Sequence, residues 1–152
     1  MQDPSIMGSG PPTQGINQLL QLPENRVCAD CTSKWPDYAS TRIGVFVCQR
    51  CAGIHGMLDK GLALSGAPIV SDCRPVASNW AEADLAALKA VGNLNAECYW
   101  EQHVPFGEEK PDASDPLEFV HQWIERKYVA GEFLAREVSH ACAAGVRFAF
   151  NT

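Results

Sequence analysis

Four of the seven cysteines stand in two pairs with the spacing of metal ligands. Two residues separate Cys28 from Cys31, two separate Cys48 from Cys51, and sixteen lie between the pairs. Two residues between cysteines allow one tight turn to present both sulfurs to a single ion, so two such turns complete a tetrahedral S4 site. Thiolates in this geometry select zinc over calcium or magnesium, and the spacing matches neither common ferredoxin pattern. The sequence therefore predicts one zinc ion held by these four residues.

The predicted zinc site is structural rather than hydrolytic. Four thiolates fill the tetrahedral shell and leave no position for a water molecule or a substrate. His55 follows Cys51 by four residues, but the shell is already complete without it. The other three cysteines lack partner spacing and are predicted to be small core residues: Cys73, Cys98 and Cys142.

The bulk composition indicates one soluble globular domain. The chain has 152 residues, of which 46% are hydrophobic and 20% are charged. Its formal net charge is −6, and no run of Lys or Arg stands out. This argues against a nucleic-acid partner, because such proteins neutralise phosphates with a basic face. No secretory signal is visible, so we expect a reducing, cytoplasmic environment, in which paired cysteines bind metal more often than they form disulfides.

Short local patterns predict the elements that hold the site. The stretch GINQLLQLPEN predicts a helix that ends before Pro23, and Gly44–Cys48 (GVFVC) predicts a strand that runs into the second cysteine pair. Residues 59–79 are predicted to be irregular, with one short strand at APIV. Residues 1–14 are polar and rich in Gly and Pro, and we expect a flexible lead-in outside the fold.

Helical patterns dominate the second half of the chain. Asn79 followed by Glu82 predicts a capped helix that ends at Gly92–Asn93, and NAECYWEQH predicts a second helix. Asp115–Pro116 predicts the start of a third helix, and a fourth is predicted at Glu132–Ala144.

The predicted fold class is α+β, with a small C4 zinc ribbon and short strands surrounded by several α-helices. A ribbon of this size cannot bury enough apolar surface alone and needs helices packed against it. We predict one zinc domain at residues 15–130 and a helical extension at residues 131–152 packed on the same domain.

The chain resembles the GTPase-activating domain for Arf small GTPases. The stretches NRVCADC, YASTRIGVFVCQRCAGIH and DPLEFVHQWIERKY occur in the order typical of that family, from Asn25 to Tyr128. The resemblance implies a regulator of vesicle traffic that docks on GTP-bound Arf and inserts an arginine beside the γ-phosphate. That arginine neutralises charge on the phosphoryl oxygens in the transition state. The resemblance therefore predicts a GTPase activator rather than an enzyme with its own substrate.

The position of the inserted arginine is occupied by Gly56, directly after His55. Glycine has no charge and no hydrogen-bond donor in its side chain, so this chain is predicted to have no catalytic residue of its own. The nearest basic residues in sequence are Arg42, Arg50 and Lys60, but a catalytic arginine must be placed to about an ångström. The resemblance predicts partner contacts from the following residues: Tyr38, Arg42, Ile43, Arg50, His55 and Gly56.

Further departures from the family pattern affect the segments that would contact the GTPase. Tyr38 stands where family members usually carry tryptophan, and Ser78 stands where they carry aspartate in an LDxW ending. The segment between His55 and Trp80 is longer than the family norm. The elements that bind zinc match better than the elements that would touch Arf.

Two interpretations of function remain open. The first is an activator of an Arf-like GTPase, with weak or absent activity because of Gly56, peripheral to Golgi or endosomal membranes. The second is a catalytically silent, zinc-stabilised interaction module that uses an acidic loop at Gly107–Asp115. Arg126 and Lys127 are predicted near the end of a helix, where positive charge offsets the helix dipole. A basic patch that faces anionic lipid is the alternative for these two residues.

Overall fold

The computed structural model describes residues 12–65 and 73–134, with side chains at 15–58 and 73–134. Five α-helices and three short strands lie in this part of the chain: α1 (Pro12–Leu20), β1 (Tyr38–Ser40), β2 (Val45–Val47), α2 (Gln49–Ser65), β3 (Arg74–Pro75), α3 (Glu82–Ala90), α4 (Gly92–Trp100) and α5 (Leu117–Ile124). A 3-10 turn at Pro23–Asn25 follows α1, and a π-helical turn at Glu125–Val129 continues α5. None of these helices is long and apolar enough to cross a bilayer.

The strands form an antiparallel sheet in the order β2-β1-β3. Ala39 pairs with Phe46 across β1 and β2, and with Arg74 across β1 and β3. Successive side chains of a strand point to opposite faces, and β2 is buried on both. Val45 and Val47 pack into the core that contains the cysteines, whereas Phe46 packs into a second core with α1 and α3. The mixed helical and ribbon architecture confirms the predicted α+β fold class.

The outer edge of β2 is covered by a side chain from α4. Asn93 Oδ1 accepts a hydrogen bond from the Phe46 amide at 2.7 Å, and Asn93 Nδ2 donates to the Phe46 carbonyl at 3.1 Å. Asn93 Nδ2 also donates to the Val27 carbonyl at 2.7 Å. Exposed edge groups invite non-native pairing, so this asparagine both closes the sheet and joins α4 to the first cysteine pair.

Helix α2 is the main element that the sequence did not predict. Residues 59–65 continue this helix, so the predicted irregular stretch at 59–79 is wrong for its first seven residues. Glycine is among the poorest helix formers, and Gly53, Gly56 and Gly61 lie within α2. The apolar pattern along α2 is also weak, because Cys51, Ile54 and the polar His55 all face the core. Tertiary contacts therefore decide its helical state.

Two predicted helix starts are displaced in the structure. The helix expected to be capped by Asn79 begins at Glu82. At its start, Asp84 Oδ2 accepts a hydrogen bond from the Ala81 amide at 3.0 Å. The helix expected to be capped by Asp115 has Pro116 as its capping residue, while Asp115 Oδ2 accepts the Asp112 amide at 2.7 Å. In each case the acidic side chain binds a nearby amide at a different position from the one expected.

Two further helix predictions have shifted boundaries or partial coverage. The helix expected at NAECYWEQH corresponds to α4, which begins three residues earlier and ends at Trp100. Residues 132–134, at the start of the helix predicted for Glu132–Ala144, lie in a turn, and Phe133 is buried against Trp123 with ring centroids 5.0 Å apart. Residues 12–14 of the predicted lead-in instead lie in the first turn of α1. The remainder of the predicted fourth helix, the predicted strand at APIV and residues 1–11 of the lead-in lie outside the described residues.

Gly44 joins β1 and β2 at a place where no side chain fits. Its φ of +68° is unfavourable for other residues, and an added Cβ would overlap Val91 Cβ and lie 2.8 Å from Val91 Cγ2. We expect Gly44→Ala to destabilise the domain by about 2–5 kcal/mol, from left-handed strain and overpacking together. Denaturant unfolding measures this change.

Gly53→Ala is the matched control for Gly44→Ala. Gly53 is an exposed helical residue at which an added Cβ meets nothing within 4 Å. We expect this change to stabilise the domain by about 0.5–1 kcal/mol, because alanine is the better helix former. Equal effects of the two substitutions would contradict the packing described for Gly44.

Candidate metal centre and the adjoining helix

The four predicted metal ligands converge in the structure. Their sulfur atoms lie within 4.8 Å of one another, and the sulfurs of Cys31 and Cys48 are 3.7 Å apart. A tetrahedral zinc site with bonds of about 2.3 Å needs sulfurs roughly 3.8 Å apart. All four residues are free cysteines. The cluster therefore has the geometry and the chemistry to hold one metal ion.

Backbone amides surround the sulfurs. The amides of Asp30 and Cys48 donate to Cys28 Sγ at 3.4 and 3.2 Å, and the Ser33 amide donates to Cys31 Sγ at 3.4 Å. Hydrogen bonds of this kind favour the thiolate, which is the form that binds metal. Cys51 lies in the first turn of α2, where the positive end of the helix dipole also favours a thiolate.

Burial opposes ionisation of the cysteines when no metal is bound. It raises the pKa of the Cys28 thiol well above its ordinary value. A metal ion must therefore displace a proton from this thiol, so the affinity of the site for metal falls as the pH falls.

A buried carboxylate lies between the first two ligands. Asp30 has 0% exposure, and its Oδ2 accepts a hydrogen bond from His55 Nε2 at 2.7 Å. Its Oδ1 accepts from Lys127 Nζ at 2.9 Å and from Tyr128 Oη at 2.7 Å. Because a carboxylate only accepts, the hydrogen in the first contact belongs to His55. Asp30 thus joins the first cysteine pair to α2 and to the turn after α5.

Lys127 supplies the compensating charge. Its side chain is 1% exposed, and the three N–H groups of its ammonium donate to Asp30 Oδ1, to the Ala29 carbonyl at 3.0 Å and to Glu101 Oε2 at 2.5 Å. Every hydrogen of the ammonium group therefore has an acceptor. A buried charge satisfied in this way fixes the relative positions of the elements that contribute to it.

The charges of this network stabilise one another. Burial by itself raises the pKa of Asp30, but the charge of Lys127 and the hydrogen bond from His55 outweigh burial and hold the pKa well below its ordinary value. Burial likewise lowers the pKa of Lys127, whereas Asp30 and Glu101 together raise it above its ordinary value. Both groups are therefore ionised at neutral pH.

The residues predicted to contact a partner lie in different environments. Ile43 and His55 are buried, with exposures of 3% and 0%. Tyr38 is half-buried on β1, Arg42 is exposed in the turn between β1 and β2, and Gly56 is exposed on α2. Of the residues predicted to contact a partner, Arg42 and Gly56 are thus exposed, Tyr38 is half-buried, and Ile43 and His55 are inaccessible.

Arg50 joins α2 to the segment that precedes α5. Its Nη1 donates to the Asp115 carbonyl at 2.6 Å and its Nη2 donates to the Asp112 carbonyl at 3.4 Å. Thr32 Oγ1 donates to Asp112 Oδ1 at 3.0 Å, which ties the same segment to the first cysteine pair. The guanidinium group of Arg50 is therefore engaged in holding the acidic loop against the metal site.

Sequence reasoning missed the roles of Asp30 and Lys127. Lys127 is expected from the sequence to act on a helix dipole, but the structure buries its ammonium group in an ion pair with Asp30, 97 positions away. Arg126 instead pairs with Glu108 and Glu132 at the surface. The sequence did contain one signal for this pair: Asp30 lies inside a C-x2-C pair. A carboxylate that is buried beside a cysteine cluster requires a cation close to it.

Comparison with known proteins gives one family. Residues 13–137 match the ArfGap family model, described as "Putative GTPase activating protein for Arf". The ADP-ribosylation factor GTPase-activating protein AGD12 of Arabidopsis thaliana is 33% identical over 131 residues, which cover 84% of this chain and 37% of that protein. Stromal membrane-associated protein 1 of Homo sapiens is 34% identical over 113 residues, which cover 74% of this chain and 22% of that protein. The chain thus spans between about a fifth and two fifths of the length of these relatives.

A solved structure has the same fold. The solution structure of the ArfGap domain of human RIP superposes with a TM-score of 0.67 at 22% sequence identity. The match covers 81% of this chain and 86% of that domain.

Removal of one ligand tests the metal centre. We expect Cys48→Ala to lose the metal and most of the folded structure, because a structural zinc contributes about 10 kcal/mol or more to folding. Metal analysis of purified protein and thermal unfolding measure the two effects. Cys98→Ala is the control, since Cys98 is a half-buried cysteine on α4 outside the cluster. A stable, metal-free Cys48→Ala variant would contradict the assignment.

Two neighbouring basic residues test the buried network. Lys127→Ala leaves the Asp30 carboxylate buried without its cation, so we expect a loss of about 3–5 kcal/mol in the free energy of unfolding. Arg126→Ala removes ion pairs in which the arginine side chain is 39% exposed and a cation–π contact 4.9 Å from the centre of the Phe133 ring. We expect a loss of about 2 kcal/mol or less. Denaturant unfolding of the two variants side by side distinguishes them, and equal losses would refute the proposed role of Lys127.

Proposed function

The chain belongs to the ArfGap family, and from this membership we propose that it binds an Arf-like small GTPase in its GTP-bound state and regulates vesicle traffic. The bond that is broken belongs to GTP on the partner, so the chain acts as a regulator and not as an enzyme. We further propose that it works in the cytoplasm, peripheral to Golgi or endosomal membranes.

We assign the ion of the cysteine cluster as one structural zinc. Four sulfur ligands complete a tetrahedral shell, and thiolates favour zinc among the ions common in proteins. The metal therefore supports the shape of the domain and takes no part in GTP hydrolysis.

The observation that carries this proposal is the way that position 56 is presented on α2. His55 is buried and bonded to Asp30, whereas Gly56 is exposed, and an added Cβ there meets nothing within 4 Å. A side chain at this position would extend into open space from a helix that is anchored to the metal centre. This is the position at which the family resemblance implies an arginine.

Gly56 limits the rate enhancement of GTP hydrolysis that we expect from the domain. An arginine supplied by a GTPase-activating partner accelerates hydrolysis by about 10³–10⁵. Glycine supplies neither charge nor donors, so we propose that the wild-type chain gives little stimulation. Tyr38 and Arg42, together with the surface around Gly56, form the proposed contact area, and Ile43 and His55 support it from beneath.

Neighbouring basic residues are poor replacements for the missing arginine. Arg50 is engaged by the carbonyls of Asp112 and Asp115, so it would have to break these bonds to reach a bound nucleotide. Arg42 is exposed in the turn that leads into β2 and is the first candidate to test. The side chain of Lys60 lies outside the described residues.

Gly56 also favours a second candidate function. A domain that keeps the anchored helix but lacks the arginine can bind a partner without accelerating its chemistry. In this alternative the chain is a zinc-stabilised interaction module, and the acidic loop at Gly107–Asp115 contributes to its contact surface.

Restoring the arginine tests the proposed function. We expect Gly56→Arg to raise the single-turnover rate of GTP hydrolysis by Arf at least about tenfold over wild type, which is part of the 10³–10⁵ available to a placed arginine. Gly53→Arg is the matched control, because Gly53 lies on the same helix, is also exposed and has equally open space. This variant adds the same charge one turn away and should give no gain.

Three other outcomes would change the proposal. Strong stimulation by the wild type would mean that another residue supplies the charge, and Arg42→Ala would then be tested first. A gain in both arginine variants would indicate a general charge effect. Absence of any gain, together with no capture of GTP-loaded Arf, would favour the interaction module.

A further inference from the structure

Trp35 is an exposed tryptophan in an unfavourable backbone conformation. The residue is 67% exposed, and its φ of +59° makes it the one non-glycine residue with positive φ in the described part of the chain. A bulky L-residue avoids this conformation unless its surroundings impose it. Because this indole is exposed and its backbone is strained, the residue contributes little to the stability of the core. A function of Trp35 in binding a partner would account for its exposed position.

The hairpin of the first cysteine pair holds Trp35 in place. Val27 and Lys34 form an antiparallel bridge, and the Trp35 amide donates to the Arg26 carbonyl at 2.6 Å. The Arg26 guanidinium lies 5.6 Å from the centre of the indole ring. Because the same hairpin carries Cys28 and Cys31, metal binding also fixes the ring and its neighbouring cation.

The two basic residues of this hairpin have no anionic partner. Across residues 15–58 and 73–134, no carboxylate forms an ion pair with Arg26 or Lys34. By contrast, Arg50, Arg126 and Lys127 are engaged with acidic side chains or backbone carbonyls, as described above. Positive charge beside the exposed indole is therefore available to an external anion.

Asp30, inside the hairpin, is buried and paired with Lys127. The acidic residues that flank the hairpin in sequence are Glu24 and Asp37. Asp37 lines a separate groove of about 470 Å³ with Tyr38 and Gln49. Glu24 lies in the 3-10 turn before the hairpin. Neither of them is within ion-pairing distance of Arg26 or Lys34.

A second exposed aromatic residue provides a contrast. Phe106 is fully exposed, but Glu108 and Glu109 follow it closely in the acidic loop. An anionic surface would be repelled there and attracted at Trp35, where cations flank the ring. Exposed aromatic character alone therefore does not select a partner, whereas its combination with unpaired cations does.

We propose that Trp35, Arg26 and Lys34 form a weak docking site for an anionic membrane surface. An indole is well suited to the membrane interface, where its apolar ring and polar N–H are both accommodated. Arginine and lysine beside it would pair with anionic headgroups. Exposed Val27, next to Arg26 in the hairpin, adds apolar surface. This inference adds a second partner to the proposed function, because it orients the domain at the membrane on which the GTPase would be met.

Vesicles test the proposal without any GTPase, so its failure is separable from failure of the proposed function. The complete chain is mixed with phosphatidylcholine vesicles, with or without phosphatidylserine, and the bound fraction is measured by sedimentation. Quenching of tryptophan fluorescence by brominated acyl chains reports insertion of an indole. Trp80 and Trp123 are 3% and 2% exposed and Trp100 is half-buried, so we expect the quenched signal to come from Trp35.

Three variants define the expected result. Trp35→Gly should remain folded, since glycine accepts a positive φ, and should lose the quenching and most of the binding. Arg26→Ala and Lys34→Ala should each lower the partition coefficient for anionic vesicles about fivefold, as expected for one basic residue at such a surface. Phe106→Ala is the control and should bind as wild type does.

Several outcomes would overturn the proposal. These are equal binding to neutral and anionic vesicles, unchanged binding of folded Trp35→Gly, or no wild-type binding at millimolar lipid. Loss of affinity of Trp35→Gly for GTP-loaded Arf in vesicle-free solution, with vesicle binding unchanged, would assign the site to the GTPase instead.

Discussion

The structure depends on the compensation of one buried negative charge. Asp30 lies between two cysteines of the cluster, out of contact with water, and a carboxylate in such a place is tolerated only when cations and donors surround it. His55, Lys127 and Tyr128 supply them from two other elements. The requirement therefore draws α2 and the turn after α5 against the first cysteine pair, which is why the cysteines, α2 and α5 share one core.

In this arrangement, the residues that hold α2 in place are different from the residue at position 56. The metal ligands, the carboxylate network and the Arg50 contacts together fix α2, and none of them needs a side chain at position 56. An added Cβ at position 56 would meet nothing within 4 Å, so no packing contact depends on a side chain there. A glycine at this position is therefore compatible with the fold. The same scaffold is thus compatible with both functions proposed above, and the proposed difference between them lies at one exposed residue.

The distribution of charge also follows from the fold. The chain carries a net charge of −6, yet several of its basic residues are engaged with acidic residues or carbonyls beside the metal centre. Lys127 forms buried ion pairs with Asp30 and Glu101, and Arg126 forms surface ion pairs with Glu108 and Glu132. Composition alone cannot indicate which cations remain available to a partner. Only the pairing of side chains across the fold leaves Arg26 and Lys34 available beside an exposed indole.

The sequence by itself determined the features that depend on neighbours along the chain. The spacing of the four cysteines predicted the cluster that they form, and the GVFVC stretch predicted β2. Tertiary structure decided the features that depend on distant residues. Helix α2 has a glycine-rich sequence with little helical signal, and the contacts of Asp30 with His55 and Lys127 span 25 and 97 positions. Burial of a charge and exposure of Trp35 arise only when such segments pack, because local propensity carries no information about what a side chain will meet.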